Sequence, residues 1–224
     1  MQIFIDSANL REIEKWVRFG IADGVTTNPT IMLKDGITDM EKCAREIAGI
    51  LDGKPISVEV ITDNPEEMLS QAREFSSWAK NIVIKIPIIN QYGEPCLEVI
   101  NTLENEGIRV NVTAALSFGQ MALSAKAGAT YSSIFSGRVA DEGADPWELV
   151  SMSVEWLEHW DYKTKIIVGS IRSVIDIQNA AISGAHVITI PPQFLNKWVD
   201  HKYSRETVKQ FMDDAKKAFS NFKK

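Results

Sequence analysis

The sequence predicts an α/β protein, a (β/α)8 TIM barrel with an extra C-terminal helix, on three observations. Short β-branched apolar runs recur along the whole chain, most of them apolar on both parities, as parallel strands covered by helices require. Segments of helical period lie between them, so strand and helix alternate about eight times at a spacing of roughly 20 to 35 residues. The 224 residues carry no linker between these units, which fits one closed barrel, expected over 1–224, better than an open doubly wound sheet.

The expected strands are Ile3 to Asp6, Val25 to Thr27, Ile56 to Val60, Ile82 to Pro87, Arg109 to Thr113, Thr130 to Phe135, Lys165 to Ser170 and His186 to Ile190. Thr38 to Leu51 keeps Met40, Cys43, Ala44, Ile47, Ala48 and Leu51 on a helical stripe. Asn64-Pro65-Glu66-Glu67 reads as an N-cap, a first-turn proline and acids at the positive end of a helix. Glu106-Gly107 and Ser183-Gly184 read as helix stops. Beyond Pro191-Pro192 a helical tail is expected over about 204–222, with Phe211, Met212, Ala215, Ala218, Phe219 and Phe222 forming an apolar stripe for the barrel or a neighbouring subunit.

Composition narrows the function classes. A net charge of −6 argues against nucleic acid or an anionic membrane surface as the main partner, while a local pair of arginines can still hold a small anion. Cys43 and Cys96 have no CxxC or Cys/His spacing, so neither a disulfide framework nor a zinc site is expected, and no metal or cofactor is assigned. No basic-then-apolar leader opens the chain and no apolar run reaches the roughly 20 residues of a membrane span, so a cytoplasmic protein is expected.

Chemistry in a barrel sits at the C-terminal strand ends, on side chains of inward parity. Parity pairs Phe4 with Asp6, Thr26 with Asn28, Ser57 with Glu59, Val83 with Lys85 and Asn111 with Thr113. It then groups Tyr131 with Ser133 and Phe135, and Val168 with Ser170. Lys85 stands out inside Ile82-Val83-Ile84-Lys85-Ile86-Pro87, a run otherwise built for burial. Desolvation penalises an ammonium, and the uncharged amine is the form that attacks carbonyls. The alternative is a lysine that only fills the barrel against Glu59 or Asp6. Asp6 and Glu59 provide two carboxylates for two proton-transfer tasks, although Asp6 also suits an N-cap for a helix opening at Ser7 or Ala8. Ser170 is expected to end the seventh strand and Arg172 to open the next helix, which with Arg138 would hold a phosphate; singly, each arginine also suits a surface ion pair.

With these residues in view the sequence resembles the transaldolase family, in its short-chain, fructose-6-phosphate aldolase-like group. The matching segments are Ile5-Asp6-Ser7-Ala8-Asn9, Gly24-Val25-Thr26-Thr27-Asn28-Pro29-Thr30, Ser57-Val58-Glu59-Val60 and Val83-Ile84-Lys85-Ile86-Pro87. Asn111-Val112-Thr113, Ala127-Gly128-Ala129-Thr130-Tyr131, Ser133-Ile134-Phe135-Ser136-Gly137-Arg138 and Ser170-Ile171-Arg172 follow in order. The resemblance implies that Lys85 forms a Schiff base with a ketose C2 carbonyl and that Asp6 is the acid/base at the C4 hydroxyl. It implies that Glu59 and Thr113 handle the water of imine chemistry, and that Asn28, Asn111 and Ser133 bind the dihydroxyacetone hydroxyls, with Thr26 and Phe135 among the binding residues. Arg138, Ser170 and Arg172 would bind phosphate, without metal or organic cofactor. Glutamate at 59 with phenylalanine at 135 matches the transferase pattern; aldolase members carry glutamine and tyrosine there. The expected activity is therefore transaldolase of the pentose phosphate pathway, with fructose-6-phosphate aldolase, or a related enzyme of specialised sugar biosynthesis, as the alternative. Short members are typically pentamers or decamers, so a homo-oligomer acting on sugar phosphates is expected.

The chain also departs from the family pattern. The loop Ile88-Ile89-Asn90-Gln91-Tyr92-Gly93-Glu94-Pro95 is a few residues longer than usual and leaves the C-terminal end of the strand that bears Lys85, a place from which it can reshape the acceptor pocket. Ala114, Ala115 and Leu116 replace bulkier residues, Ile134 a common proline, and Gly169 a usual alanine.

Overall fold

A computed structural model describes residues 1–219. Eight parallel strands close into a barrel in sequence order, β1 pairing with β8. They are β1 (Gln2–Asp6), β2 (Gly24–Thr26), β3 (Ile56–Glu59), β4 (Ile82–Pro87), β5 (Val110–Ala115), β6 (Tyr131–Phe135), β7 (Lys165–Gly169) and β8 (Val187–Ile190). The helices are α1 (Leu10–Arg18), α2 (Pro29–Lys34), α3 (Met40–Leu51), α4 (Pro65–Ser76), α5 (Leu97–Asn105), α6 (Phe118–Lys126), α7 (Ser136–Asp141), α8 (Pro146–His159), α9 (Val174–Ile182), α10 (Pro192–Val199) and α11 (Lys202–Ala218). The expected (β/α)8 architecture is therefore present. Every expected strand appears, shifted by at most a residue or two at its ends.

Local signals explain the boundaries. Asn64 caps α4 by accepting from the Glu66 and Glu67 amides, with Pro65 in the first turn. Glu106 and Ser183 are the C-caps of α5 and α9, each followed by a glycine at positive φ. Two short helices at strand ends, α2 and α7, carry too few residues for a readable period and were not expected.

The core has two layers. The larger lies between strands and helices, and a small second cluster inside the barrel comprises Phe4, Val83, Tyr131, Ile167 and Val187. Phe4 and Tyr131 meet edge to face there, with centroids 6.1 Å apart. Gly24 makes room for this plug, because a Cβ on it would lie 2.7 Å from the Phe4 ring. Two residues further along each of these strands come Asp6, Lys85, Ser133, Gly169 and Thr189. The apolar layer is thus the floor beneath a polar one. This corrects the expected parity of β7: Val168 faces the helices, and Ile167 and Gly169 face inward. Val168 and Ile167 are both fully buried and equally apolar, so the run itself does not tell the two faces apart.

Candidate active site

The polar layer opens into a cavity of about 490 Å³ at the C-terminal ends of the strands, the size of a small-ligand site. Lys85 reaches it from the middle of β4 and is only 4% exposed. The β3–β4 register sets Glu59 directly opposite Lys85, and Nζ lies 3.0 Å from Glu59 Oε2. Nζ also donates to the Thr27 carbonyl at 3.1 Å. Both partners lie on the β2–β3 side, so the amine is held at one wall of the cavity.

Asp6 ends β1 on another wall. Thr26, its register partner on β2, donates to Asp6 Oδ1 at 2.7 Å, and the Thr26 and Thr189 hydroxyls are hydrogen-bonded to each other. Burial pushes the Asp6 carboxyl above the usual carboxylate range; the Thr26 hydrogen bond and the Lys85 and Lys34 charges pull it back, and Asp35 adds to the rise. Asp6 caps no helix. α1 opens at Leu10, and its cap is Asn9, which accepts from the Arg11 and Glu12 amides. The capping alternative for Asp6 therefore falls away.

Thr113 is buried, lines the cavity, and its hydroxyl has no hydrogen-bond partner among the described residues. Leaving such a group unsatisfied costs about 1–3 kcal/mol, so the position is ready for a ligand or water hydroxyl. The next residue, Ala114, sits in the left-handed region at φ 59°, where the β5–β6 register shifts. Below Thr113, Asn111 is fully buried: it donates to Ser57 Oγ at 3.1 Å and accepts from Ser133 Oγ at 2.7 Å. Ser133 lines the cavity and Asn111 does not, so Asn111 orients Ser133 from beneath. Asn28 caps α2, its side-chain oxygen accepting from the Ile31 amide, and also lines the cavity.

The wall that carries a cation is built from β6, α7 and the turn after β7. Phe135, Arg138 and Ser170 line the cavity, and the Arg138 guanidinium lies 5.6 Å from the Phe135 ring centre. Ser170 follows β7 in the left-handed region at φ 61°, and Gly137 permits its close approach, since a Cβ there would sit 2.5 Å from the Ser170 carbonyl. Arg172 differs from expectation. It lies before α9, whose cap is Ser173, and outside the cavity lining; its guanidinium grips the Asp141 carboxylate with both terminal nitrogens, one at 2.6 Å. The Asp141 ion pair already occupies the fork that a phosphate would need.

Two further segments bear on the cavity lining. Loop 88–95 folds back as a small hairpin, with Ile89 bridging Pro95 and Asn90 accepting from the Tyr92 and Glu94 amides, and the cavity lining on this strand stops at Pro87. Thr189 lines the cavity and was not anticipated. The alternation Val187, Ile188, Thr189 carried the signal, since its inward parity is the one that the other strands use.

A family model for Transaldolase/Fructose-6-phosphate aldolase matches residues 3–224. The chain belongs to this family. It is 41% identical over 223 residues to a probable transaldolase of Clostridium botulinum (strain Loch Maree), with all of both chains covered. It is 38% identical over 216 residues to a probable transaldolase of Dehalococcoides mccartyi, covering 96% of this chain and 98% of the relative. Among solved structures it is similar to 2,3-dimethylmalate lyase, with a TM-score of 0.59 at 15% identity over 100% of this chain and 84% of that one. It also spans 64% of a mandelate oxidase variant, at 14% identity and a TM-score of 0.57. These structural likenesses concern the barrel alone. For a transaldolase/aldolase family member the cavity holds a fitting set of groups. An amine can capture a carbonyl, two carboxylates can move protons, a free hydroxyl can anchor water, and a guanidinium can face an anion.

Proposed function

We propose that the chain is a transaldolase that moves a dihydroxyacetone unit from a ketose phosphate, fructose 6-phosphate or sedoheptulose 7-phosphate, to an aldose phosphate in the pentose phosphate pathway. The observation that carries this reading is the buried Lys85 Nζ, 3.0 Å from the Glu59 carboxylate and in one cavity with Asp6. Glu59 is the carboxylate within reach to take the proton that Nζ must lose before it attacks the C2 carbonyl. Loss of water then leaves a protonated imine on Lys85. Asp6 takes the C4 hydroxyl proton, the C3–C4 bond breaks, and its electron pair flows into the imine, giving an enamine and a free aldose. The enamine carbon then attacks the acceptor aldehyde, Asp6 returns its proton to the new hydroxyl, and water bound at Thr113 and Glu59 hydrolyses the imine. Ser133 and Asn28 face the three-carbon unit, with Asn111 behind Ser133.

Phe135 supports transfer over release of dihydroxyacetone, because its ring has no hydroxyl to help water protonate the enamine carbon, the step that release requires. The test is turnover of fructose 6-phosphate with and without erythrose 4-phosphate. Acceptor-dependent turnover is expected, and equal rates in its absence would replace this reading by the aldolase one. Of the two arginines, Arg138 faces the cavity with no ion pair among the described residues and Arg172 is held by Asp141. Arg138→Ala should raise KM for the phosphorylated donor about 10- to 100-fold, as loss of a charge-assisted contact does, and Arg172→Ala should raise it far less. Comparable losses from both would return Arg172 to the phosphate site.

We further propose a homo-oligomer in which α11 packs on a neighbouring subunit. None of its residues is buried, and Phe211 is 66% exposed on the expected apolar stripe; Phe222 of that stripe lies outside the described residues. Ending the chain after Tyr203 should lower the molecular mass measured by light scattering, and an unchanged mass would overturn this packing.

A further inference from the structure

We propose that Thr189 is a positioning residue that acts through Thr26 to keep Asp6 an unprotonated carboxylate, ready to accept a substrate proton. The inference rests on the acid/base role of Asp6 in the proposed reaction. β2 and β8 flank β1 on either side, and the hydroxyls that they deliver meet each other beside Asp6. A threonine hydroxyl has one proton to give. Thr26 donates its proton to Asp6 Oδ1 at 2.7 Å, so in the Thr26–Thr189 contact the donor is Thr189. The chain therefore runs one way, from Thr189 to Thr26 to Asp6. Each bond polarises the next, which strengthens the donation that the carboxylate receives. A proton on Oδ1 would reverse the chain and turn the Thr189 proton out toward the cavity. The favoured landing point for the substrate proton is therefore the other oxygen, Oδ2.

The charged groups around Asp6 leave such a device a task. Lys85 on β4 and Lys34 at the end of α2 favour the carboxylate; Asp35 just beyond α2 and burial itself oppose it. Thr189 is buried and lines the cavity, yet has no hydrogen bond recorded among the described residues besides the one to Thr26.

The experiment follows the Asp6 carboxyl directly, by carbon-13 NMR titration of aspartate-labelled protein, with Asp6→Asn identifying the signal. Thr189→Val, nearly isosteric, should move the Asp6 titration upward by about half a pH unit and carry the acid limb of kcat with it. Thr189→Ser should titrate as the native protein does. In a Thr26→Val background the Thr189 substitution should add nothing, because the path to Asp6 is already cut. Thr189→Ala serves should the valine variant not fold. An unmoved Asp6 titration in Thr189→Val, or a shift that persists without the Thr26 hydroxyl, would overturn the proposal. Full activity in Asp6→Asn would instead remove the acid/base role of Asp6 and leave the control of its titration by Thr189 standing.

Discussion

Reduction with borohydride in the presence of fructose 6-phosphate is expected to leave a three-carbon adduct on the peptide that contains Lys85. Lys85→Met, similar in length and without the amine, is expected to lose at least about 10³-fold in kcat, since among the described residues no other amine lines the cavity. The substitution also leaves Glu59 without its cation. Breaking a buried ion pair typically costs about 3–5 kcal/mol, and the cost here falls at or below the lower end because the Glu59 side chain keeps 22% of its surface exposed. The variant should therefore fold, and circular dichroism with a thermal melt checks this. An unmodified Lys85, or a folded Lys85→Met variant with native turnover, would remove the Schiff-base reading.

The second large effect belongs to Asp6→Asn. Loss of the proposed acid/base should lower kcat about 10²- to 10⁴-fold and abolish the acid limb of the rate profile, because asparagine cannot take the C4 hydroxyl proton. Stability should move the other way. The folded-state titration of Asp6 lies above its unfolded one, so the folded protein binds this proton more tightly. The penalty for burying the charge is then full above the folded titration point and disappears as pH falls below the unfolded one. At neutral pH Asp6→Asn should melt higher than the native protein, and the gap should narrow on acidification through that window. A gap that widened on acidification would show that the carboxylate is better solvated in the fold than outside it. A group that costs stability where it aids chemistry is the usual trade at an active site.

The fold was legible because its signals are local and repeated. Runs such as Ile82 to Pro87, stops such as Glu106-Gly107 and caps such as Asn64 need only neighbouring residues to act. Lys85, Asp6, Glu59 and Thr113 were legible because parity along a strand is fixed by its backbone, so one run suffices to aim a side chain. Where parity had little contrast it failed: Val168 and Ile167 are both apolar, and the sequence pattern could not say which faces the barrel interior. Arg172 and Asp141 are 31 residues apart, and a surface ion pair between the turn after β7 and the end of α7 leaves no periodic trace. The hairpin at 88–95 is held locally by Asn90, while the contact of the Gln91 amide with Asp63 joins distant segments and follows only from the folded path of the chain.

The sequence by itself determined the eight-fold alternation, the inward parity of most strands and the one lysine placed for burial on an inward face, because each depends on backbone geometry over a few residues. Only the tertiary structure decided which polar groups share a cavity. Closure of β8 onto β1 brings Thr189 to Thr26, and strand register sets Glu59 against Lys85. The Asp141 pairing takes Arg172 away from the cavity and leaves Arg138 facing it. The physical reason is range: parity acts over one or two residues, whereas the hydrogen bonds and ion pairs that select these partners form only after distant segments have packed.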